Sequence, residues 1–209
     1  MKKGLLVVVS GFAGTGKGTL MKRLLSDYDD YALSVSMTTR APRPGEENGR
    51  EYFFVTKEQF EEKIRQNGLI EYACYVDNYY GTPKDYVEQK RAEGKDVLLE
   101  IEIQGAMKVR EQFEDAILIF VMPPSAKVLR ERLIGRGTET PEVVEKRMRR
   151  AAEEACGIED YDYIAVNDDL DVCVKELHET IQAAHHRPIS NSEFITQVRN
   201  DLKEMAKGE

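Results

Sequence analysis

The stretch Leu5–Leu20, LLVVVSGFAGTGKGTL, constrains the fold more than any other part of the chain. Leu5–Ser10 opens with an unbroken run of leucine and valine, Leu5–Val9, the pattern of a strand buried on both faces, and such strands belong to parallel sheets covered by helices. Lys17–Leu25 has helical character, with Leu20, Leu24 and Leu25 on one face. Between strand and helix stand Gly11, four residues, Gly16 and Lys17. That is a phosphate-cradling loop in the strand–loop–helix setting its chemistry needs. The backbone N–H groups of Ala13–Gly18 are expected to wrap a polyphosphate, aided by the helix N-terminus. Lys17 is expected to reach its outer phosphates.

The loop departs from its usual form at one place. The residue after the lysine normally supplies a hydroxyl to Mg²⁺, and Gly18 has none. Mg²⁺ is then expected on phosphate oxygens and waters, with a carboxylate nearby, which suits its reluctance to dehydrate. Thr19 is left free to bond an inner phosphate.

At 209 residues the chain suits one core with lobes inserted into it. Its 41% hydrophobic and 33% charged residues fit a soluble globular enzyme. A net charge of −8 argues against nonspecific nucleic-acid binding, which needs a basic face. The apolar run Leu5–Val9 is shorter than a secretory segment, and no run approaches the roughly 20 residues of a membrane span. A cytoplasmic protein with no membrane partner is expected. Cys74, Cys156 and Cys173 are far apart and read as three buried or inert thiols in a reducing compartment. His185 and His186 have no third ligand nearby and read as an exposed helix end.

Tyr31–Ser36 reads as a second strand, giving the β-loop-α-β opening of a parallel α/β sheet. Ala41–Arg50, rich in Pro, Gly and charge, is a loop. Tyr52–Val55 reads as a strand, and Thr56 with Gln59 as a capping box for a helix to about Gln66. Strands are expected at Leu69–Val76 and Tyr79–Gly81, followed by a helix entered through Thr82-Pro83 and ended before Gly94. The core resumes at Val97–Ile103 and Ala116–Met122, Ser125 caps the next helix, and Tyr161–Val166 is the last core strand. Helices are expected near 170–184 and 192–206. Residues 37–82 read as a small inserted lobe and 126–156 as a charged helical segment, leaving 1–36, 83–125 and 157–209 as core.

Glu100 and Glu102, in VLLEIEIQG, are two apart and are expected on one face of a strand near its C-terminal end. Ligands of parallel sheets sit at that edge. Arg40 and Arg43, three apart in a Pro-flanked loop, can fork onto one phosphate, with Arg50 and Tyr52 close behind. Glu71 follows Leu69 and Ile70 in a strand, an odd place for a carboxylate unless something pairs with it. Guanine offers a match: N1–H and N2–H₂ are adjacent donors for one carboxylate, and O6 can accept from hydroxyls such as Ser36 or Thr82. Adenine, whose N1 is an acceptor, would leave Glu71 unpaired.

With these residues assembled, the chain resembles the guanylate kinase family over Leu5 to about Leu177. The blocks SGFAGTGKGTL, SVSMTTRAPRPGEENGREYFFV, NYYGTPK, LEIEIQGA, RLIGRGTET and VNDDLD carry the resemblance. The pattern around Lys17 is closer to nucleoside-monophosphate kinases than to GTPases, and no N-K-x-D guanine motif is recognisable. The resemblance implies an α/β fold: a P-loop parallel sheet core with an inserted GMP-binding lobe and a helical lid. It implies transfer of the ATP γ-phosphate to GMP, and to dGMP, with Mg²⁺ as cofactor, by a monomer or homodimer. Position by position, it implies ATP contacts from Gly11, Phe12, Ala13, Gly14, Thr15, Gly16, Lys17, Gly18, Thr19, Arg132, Arg136 and Asn167. It implies guanine contacts from Ser36, Glu71 and Thr82, GMP-phosphate contacts from Arg40, Arg43, Tyr52 and Tyr80, a backbone contact at Gly81, and a carboxylate near GMP at Glu102. The family often carries Asp at positions 100 and 102, so Glu adds a methylene at each.

The segment 126–156 is rich in arginine. Arg132 and Arg136 are i, i+4, and Arg147 and Arg150 are i, i+3, so each pair can share a helix face. The resemblance singles out Arg132, Arg136 and Arg147 as phosphate-reaching, leaving Arg130, Arg149 and Arg150 as surface. No nucleophile or base is needed, because a phosphate acceptor with a second pKa of about 6 is already mostly dianionic. Lys17, Arg43, Arg136 and Arg147 are the expected catalytic residues, acting by positioning and charge neutralisation. The alternative is a noncatalytic guanylate-kinase-like binding module, against which the retained loop lysine and lid arginines argue.

Overall fold

The computed structural model describes residues 3–75, 77–135 and 140–207. Two sheets organise it. The larger has five parallel strands in the order β2 (Tyr31–Leu33), β7 (Asp96–Glu100), β1 (Leu6–Gly11), β8 (Ile117–Met122), β9 (Tyr163–Val166). β1 lies at its centre, bonded on both sides, which explains its unbroken apolar run. Alternate β1 residues serve two cores. Val7 and Val9 pack with Leu20, Met21 and Leu24 of α1 (Lys17–Asp27) and with Val174, Leu177 and Ile181 of α7 (Leu170–Ala184). Leu6 and Val8 pack on the other face with Val87 of α3 (Lys84–Ala92) and with Ala106 and Val109 of α4 (Ile103–Gln112).

The smaller sheet is mixed, in the order β4 (Tyr52–Phe54), β3 (Ser36–Thr38), β6 (Asn78–Pro83), β5 (Leu69–Tyr75). Its own core joins Met37 and Leu69 to Phe60 of α2 (Lys57–Arg65), which the expected Thr56–Gln59 capping box starts. A third cluster, with Phe12, Phe120, Leu129, Leu133 and Val144, roots α5 (Ala126–Gly135) and α6 (Pro141–Glu154) beside the phosphate loop. The Ser125 hydroxyl accepts from the Val128 N–H at the start of α5. The last helix, α8 (Ser192–Met205), buries none of its residues, and Phe194, Val198, Leu202 and Met205 stand exposed along it.

Four expectations change. The strand expected at Tyr31–Ser36 divides: Tyr31–Leu33 joins the parallel sheet and Ser36 opens the smaller one. The strand expected through Ile103 stops at Glu100, and Glu102 is the N-cap residue of α4, a helix the alternation of Ile101 and Ile103 concealed. The Ile101 carbonyl accepts from the Ser10 hydroxyl at 2.8 Å rather than continuing the ladder. Thr82-Pro83 ends β6, with Pro83 as N-cap of α3. The histidine pair does end α7 and His186 is exposed, but His185, the C-cap, is half-buried: its Nε2 lies 2.9 Å from Oδ2 of buried Asp96, whose Oδ1 accepts from the Leu5 N–H. Cys74 and Cys156 are exposed thiols and Cys173 a buried one. No helix among the described residues is long and apolar enough to cross a membrane.

Candidate active site

The donor side begins where β1 ends. Gly16 is the N-cap of α1 and sits at φ 86°, left-handed backbone that favours glycine. A Cβ there would come within 2.7 Å of Asn167 Nδ2. Phe12 is buried edge-on against Phe120, and the Thr15 hydroxyl donates to the Phe12 carbonyl, so the loop is anchored from within. The Lys17 ammonium donates to the Gly11 carbonyl at 2.5 Å, folded back over the loop. A cavity of about 390 Å³ opens along Ala13, Gly14, Gly16, Gly18 and Thr19, with Lys17 and Glu100 on its wall. A side chain at Gly18 would meet nothing within 4 Å, so its missing hydroxyl is not forced by crowding. Lys22 also lines the cavity and was not anticipated; its place on α1, five residues after Lys17, was the available signal.

Asn167 ties this loop to the neighbouring helix. It is buried, its side-chain amide donates to the Thr15 carbonyl at 2.7 Å, and its own carbonyl accepts from Arg132 at 2.8 Å. Arg147 is half-buried on α6. Arg136 lies outside the described residues.

The second group of candidate site residues lies on the smaller sheet. In its registers Ser36 pairs with Tyr52, and Met37 and Thr38 with Gly81 and Tyr80. Tyr52 and Tyr80 meet edge-on at 6.0 Å, and the Arg40 guanidinium stands 5.5 Å from the Tyr52 ring centre. Glu71, on β5, accepts the Thr82 hydroxyl at 2.8 Å. Burial pushes its carboxyl above the usual range, with the Thr82 bond and the Lys108 charge opposing. Gly81 passes so close that a Cβ would sit 2.8 Å from the Glu71 carbonyl.

Glu46 was missed, though an acid three residues after Arg43 in a Pro-Gly turn was its signal. It accepts from the Arg40 guanidinium at 2.9 Å and the Arg43 N–H at 2.7 Å, and these bonds, Arg40 first, hold its carboxyl below the usual range. The Arg43 side chain is exposed. Arg50 instead bonds Glu47 and Glu51 of its own loop.

Glu100 and Glu102 do not share a strand face. Glu100 faces the donor cavity from the end of β7, while Glu102 heads α4 and accepts from Arg150 at 2.9 Å. Arg150, expected to be merely surface, also donates to Glu154 at 2.8 Å.

A parallel sheet with the phosphate loop on its central strand, beside an arginine- and tyrosine-bearing second sheet, defines a P-loop nucleotide-binding protein. The guanylate kinase family model matches residues 3–184. The guanylate kinase of Latilactobacillus sakei subsp. sakei (strain 23K) is 50% identical over 186 residues, 88% of this chain and 92% of that one. That of Lactococcus lactis subsp. lactis (strain IL1403) is 45% identical over 202 residues, 97% of this chain and 98% of that one. Among solved structures, guanylate kinase from Anaplasma phagocytophilum superposes with a TM-score of 0.67 at 33% identity, covering 89% of this chain and 88% of that one. The chain belongs to the guanylate kinase family.

Proposed function

We propose that the two sides of this site bind ATP and GMP and that the residues just described bring their phosphates together. As a guanylate kinase the chain phosphorylates GMP from ATP. The relatives are kinases by name, and the noncatalytic alternative is not favoured.

In this reading ATP lies along Gly11–Thr19, its phosphates on the loop N–H groups and Lys17, with Arg132, Arg136 and Asn167 on the nucleotide's far side. GMP lies on the smaller sheet. Glu71 accepts guanine N1–H and N2–H₂, while Ser36 donates to O6. Thr82 has a single hydroxyl proton, now given to Glu71; as the base takes over the carboxylate, that proton turns to O6. Arg40, Arg43, Tyr52 and Tyr80 hold the GMP phosphate. Arg40 leaves Glu46 to do so, exchanging one anion for another. Residues 37–82 and 126–156 close over the core and exclude water, which would otherwise accept the phosphate.

The residues present fit Mg²⁺ carried on ATP. Thr19 and Glu100 give the donor cavity hard oxygen atoms, and Gly18 leaves room for retained waters. The ion would neutralise charge on the outer phosphates. The acceptor dianion needs no base; Lys17, Arg43, Arg136 and Arg147 hold it in line with ATP and offset the charge of two polyanions. Work in the cytoplasm follows from the same reading.

The half-buried Glu71, bonded to buried Thr82, carries the assignment, because adjacent N–H donors on a base match its two oxygens. A coupled assay of ADP release with GMP, dGMP, AMP and UMP tests it: GMP and dGMP should turn over and AMP and UMP should not. AMP or UMP outperforming GMP would sink the base assignment.

A further inference from the structure

We infer that Arg150 is a positioning residue for the acceptor: it offsets part of the charge of Glu102 and fastens α6 to the start of α4, so that GMP meets less negative charge there. The inference rests on the reading that GMP lies beside Glu102.

Three observations meet at this residue. Arg150 spans two carboxylates at once, Nη2 to Glu102 at 2.9 Å and Nε to Glu154 at 2.8 Å. The Glu102 bond crosses 48 residues of chain and joins the segment bearing the expected lid arginines to the head of α4. The first turn of α4 in turn faces the guanine-reading carboxylate: a Cβ on Gly105 would lie 3.7 Å from Glu71 Oε2.

The electrostatic need is plain. The chain carries a net charge of −8, and both substrates are polyanions. Glu102 is three-quarters exposed, so its charge reaches the space outside the protein. Unpaired, it would repel an arriving nucleoside monophosphate; with Arg150 shared between Glu102 and Glu154 the three side chains keep one net negative charge instead of two, and the repulsion is reduced. The pair is itself exposed, so it is weak and screened by salt. A weak link suits a segment that must open and close in every cycle.

The test is steady-state kinetics of the full-length protein at low and high salt, for Arg150→Ala, Arg150→Lys, Glu102→Gln and the Glu102→Gln/Arg150→Ala double variant. Arg150→Ala should raise the KM for GMP about 2- to 5-fold at low salt. The KM for ATP should stay unchanged, the effect should shrink at high salt, and Arg150→Lys should restore most of the loss. In the Glu102→Gln background, Arg150→Ala should add little, because the charge it offsets is already gone. A GMP KM that does not move in Arg150→Ala, or moves equally in both backgrounds, overturns the inference. If Glu102→Gln itself leaves the GMP KM unmoved, the reading of Glu102 beside GMP falls, and the inference with it.

Discussion

Replacing Glu71 by glutamine isolates the base-reading step. The volume is kept, and the oxygen that accepts the Thr82 hydroxyl at 2.8 Å can be kept with it. When guanine binds and the Thr82 proton turns to O6, the two oxygens of the native carboxylate are left for the two N–H donors of the base. Glutamine has one oxygen and an NH₂ group, so one N–H of the base faces another donor. The loss is a charge-assisted hydrogen bond plus an unsatisfied buried donor, about 2–4 kcal/mol together. That corresponds to about a 30- to 1,000-fold rise in the Kd for GMP. Folding should not suffer. Burial already disfavours the ionised carboxyl, and a neutral amide removes that burden. Titration calorimetry with GMP and with ATP, alongside a thermal melt, reads all three quantities. A parallel loss of ATP affinity, a GMP Kd within about 3-fold of the parent, or a collapse in Tm would refute the base-edge role.

Glu71 should also set an acid limit on binding. Its raised carboxyl must be ionised to accept guanine, so GMP affinity should fall as pH drops through that raised value, at higher pH than an exposed glutamate would dictate. The stability contribution has the opposite sense: the raised pKa favours the folded state at acid pH, and this is lost as pH rises from the ordinary glutamate value through the raised one. The ratio of GMP Kd in the parent to that in Glu71→Gln, followed across pH, separates Glu71 from the phosphate's own titration; a flat ratio would exclude it. Asn167→Ala removes the bond to the Thr15 carbonyl. A buried carbonyl then loses its partner, which should lower stability by about 1–3 kcal/mol, and the loosened loop should bind ATP more weakly while GMP affinity holds. Equal loss of both nucleotides would point to general unfolding instead.

The parts legible in the sequence are those whose chemistry is local. The phosphate loop is a spacing of glycines beside a lysine, so Gly11–Thr19 is written within nine residues. Glu71 is legible because a carboxylate after Leu69 and Ile70 contradicts its surroundings. What stayed hidden is set by contacts across the chain. The end of β7 depends on the Ser10 hydroxyl reaching Ile101, 91 positions away, and no local pattern reports it. Arg150 and Glu102 each look like ordinary surface charges until the fold sets them 2.9 Å apart. Ser36 reads as the end of a core strand because Tyr31–Ser36 is continuous in pattern, while the sheets it could join are decided by the partners Asp96–Leu98 and Tyr52–Phe54.

The central position of β1 has a consequence for how the protein is made. The strand that leads into the phosphate loop is synthesised well before its two neighbours, Val97–Glu100 and Ile117–Val121. The ladder on its second side waits until about residue 121 has been synthesised, and the Asn167 bond to Thr15 waits longer still. At roughly 5–20 residues per second, the unpaired β1 run stays open for several seconds of synthesis. The smaller sheet, whose strands all fall between Ser36 and Pro83, closes shorter loops and needs far less of the chain. The smaller sheet is therefore complete while the parallel sheet is still waiting for its last strands.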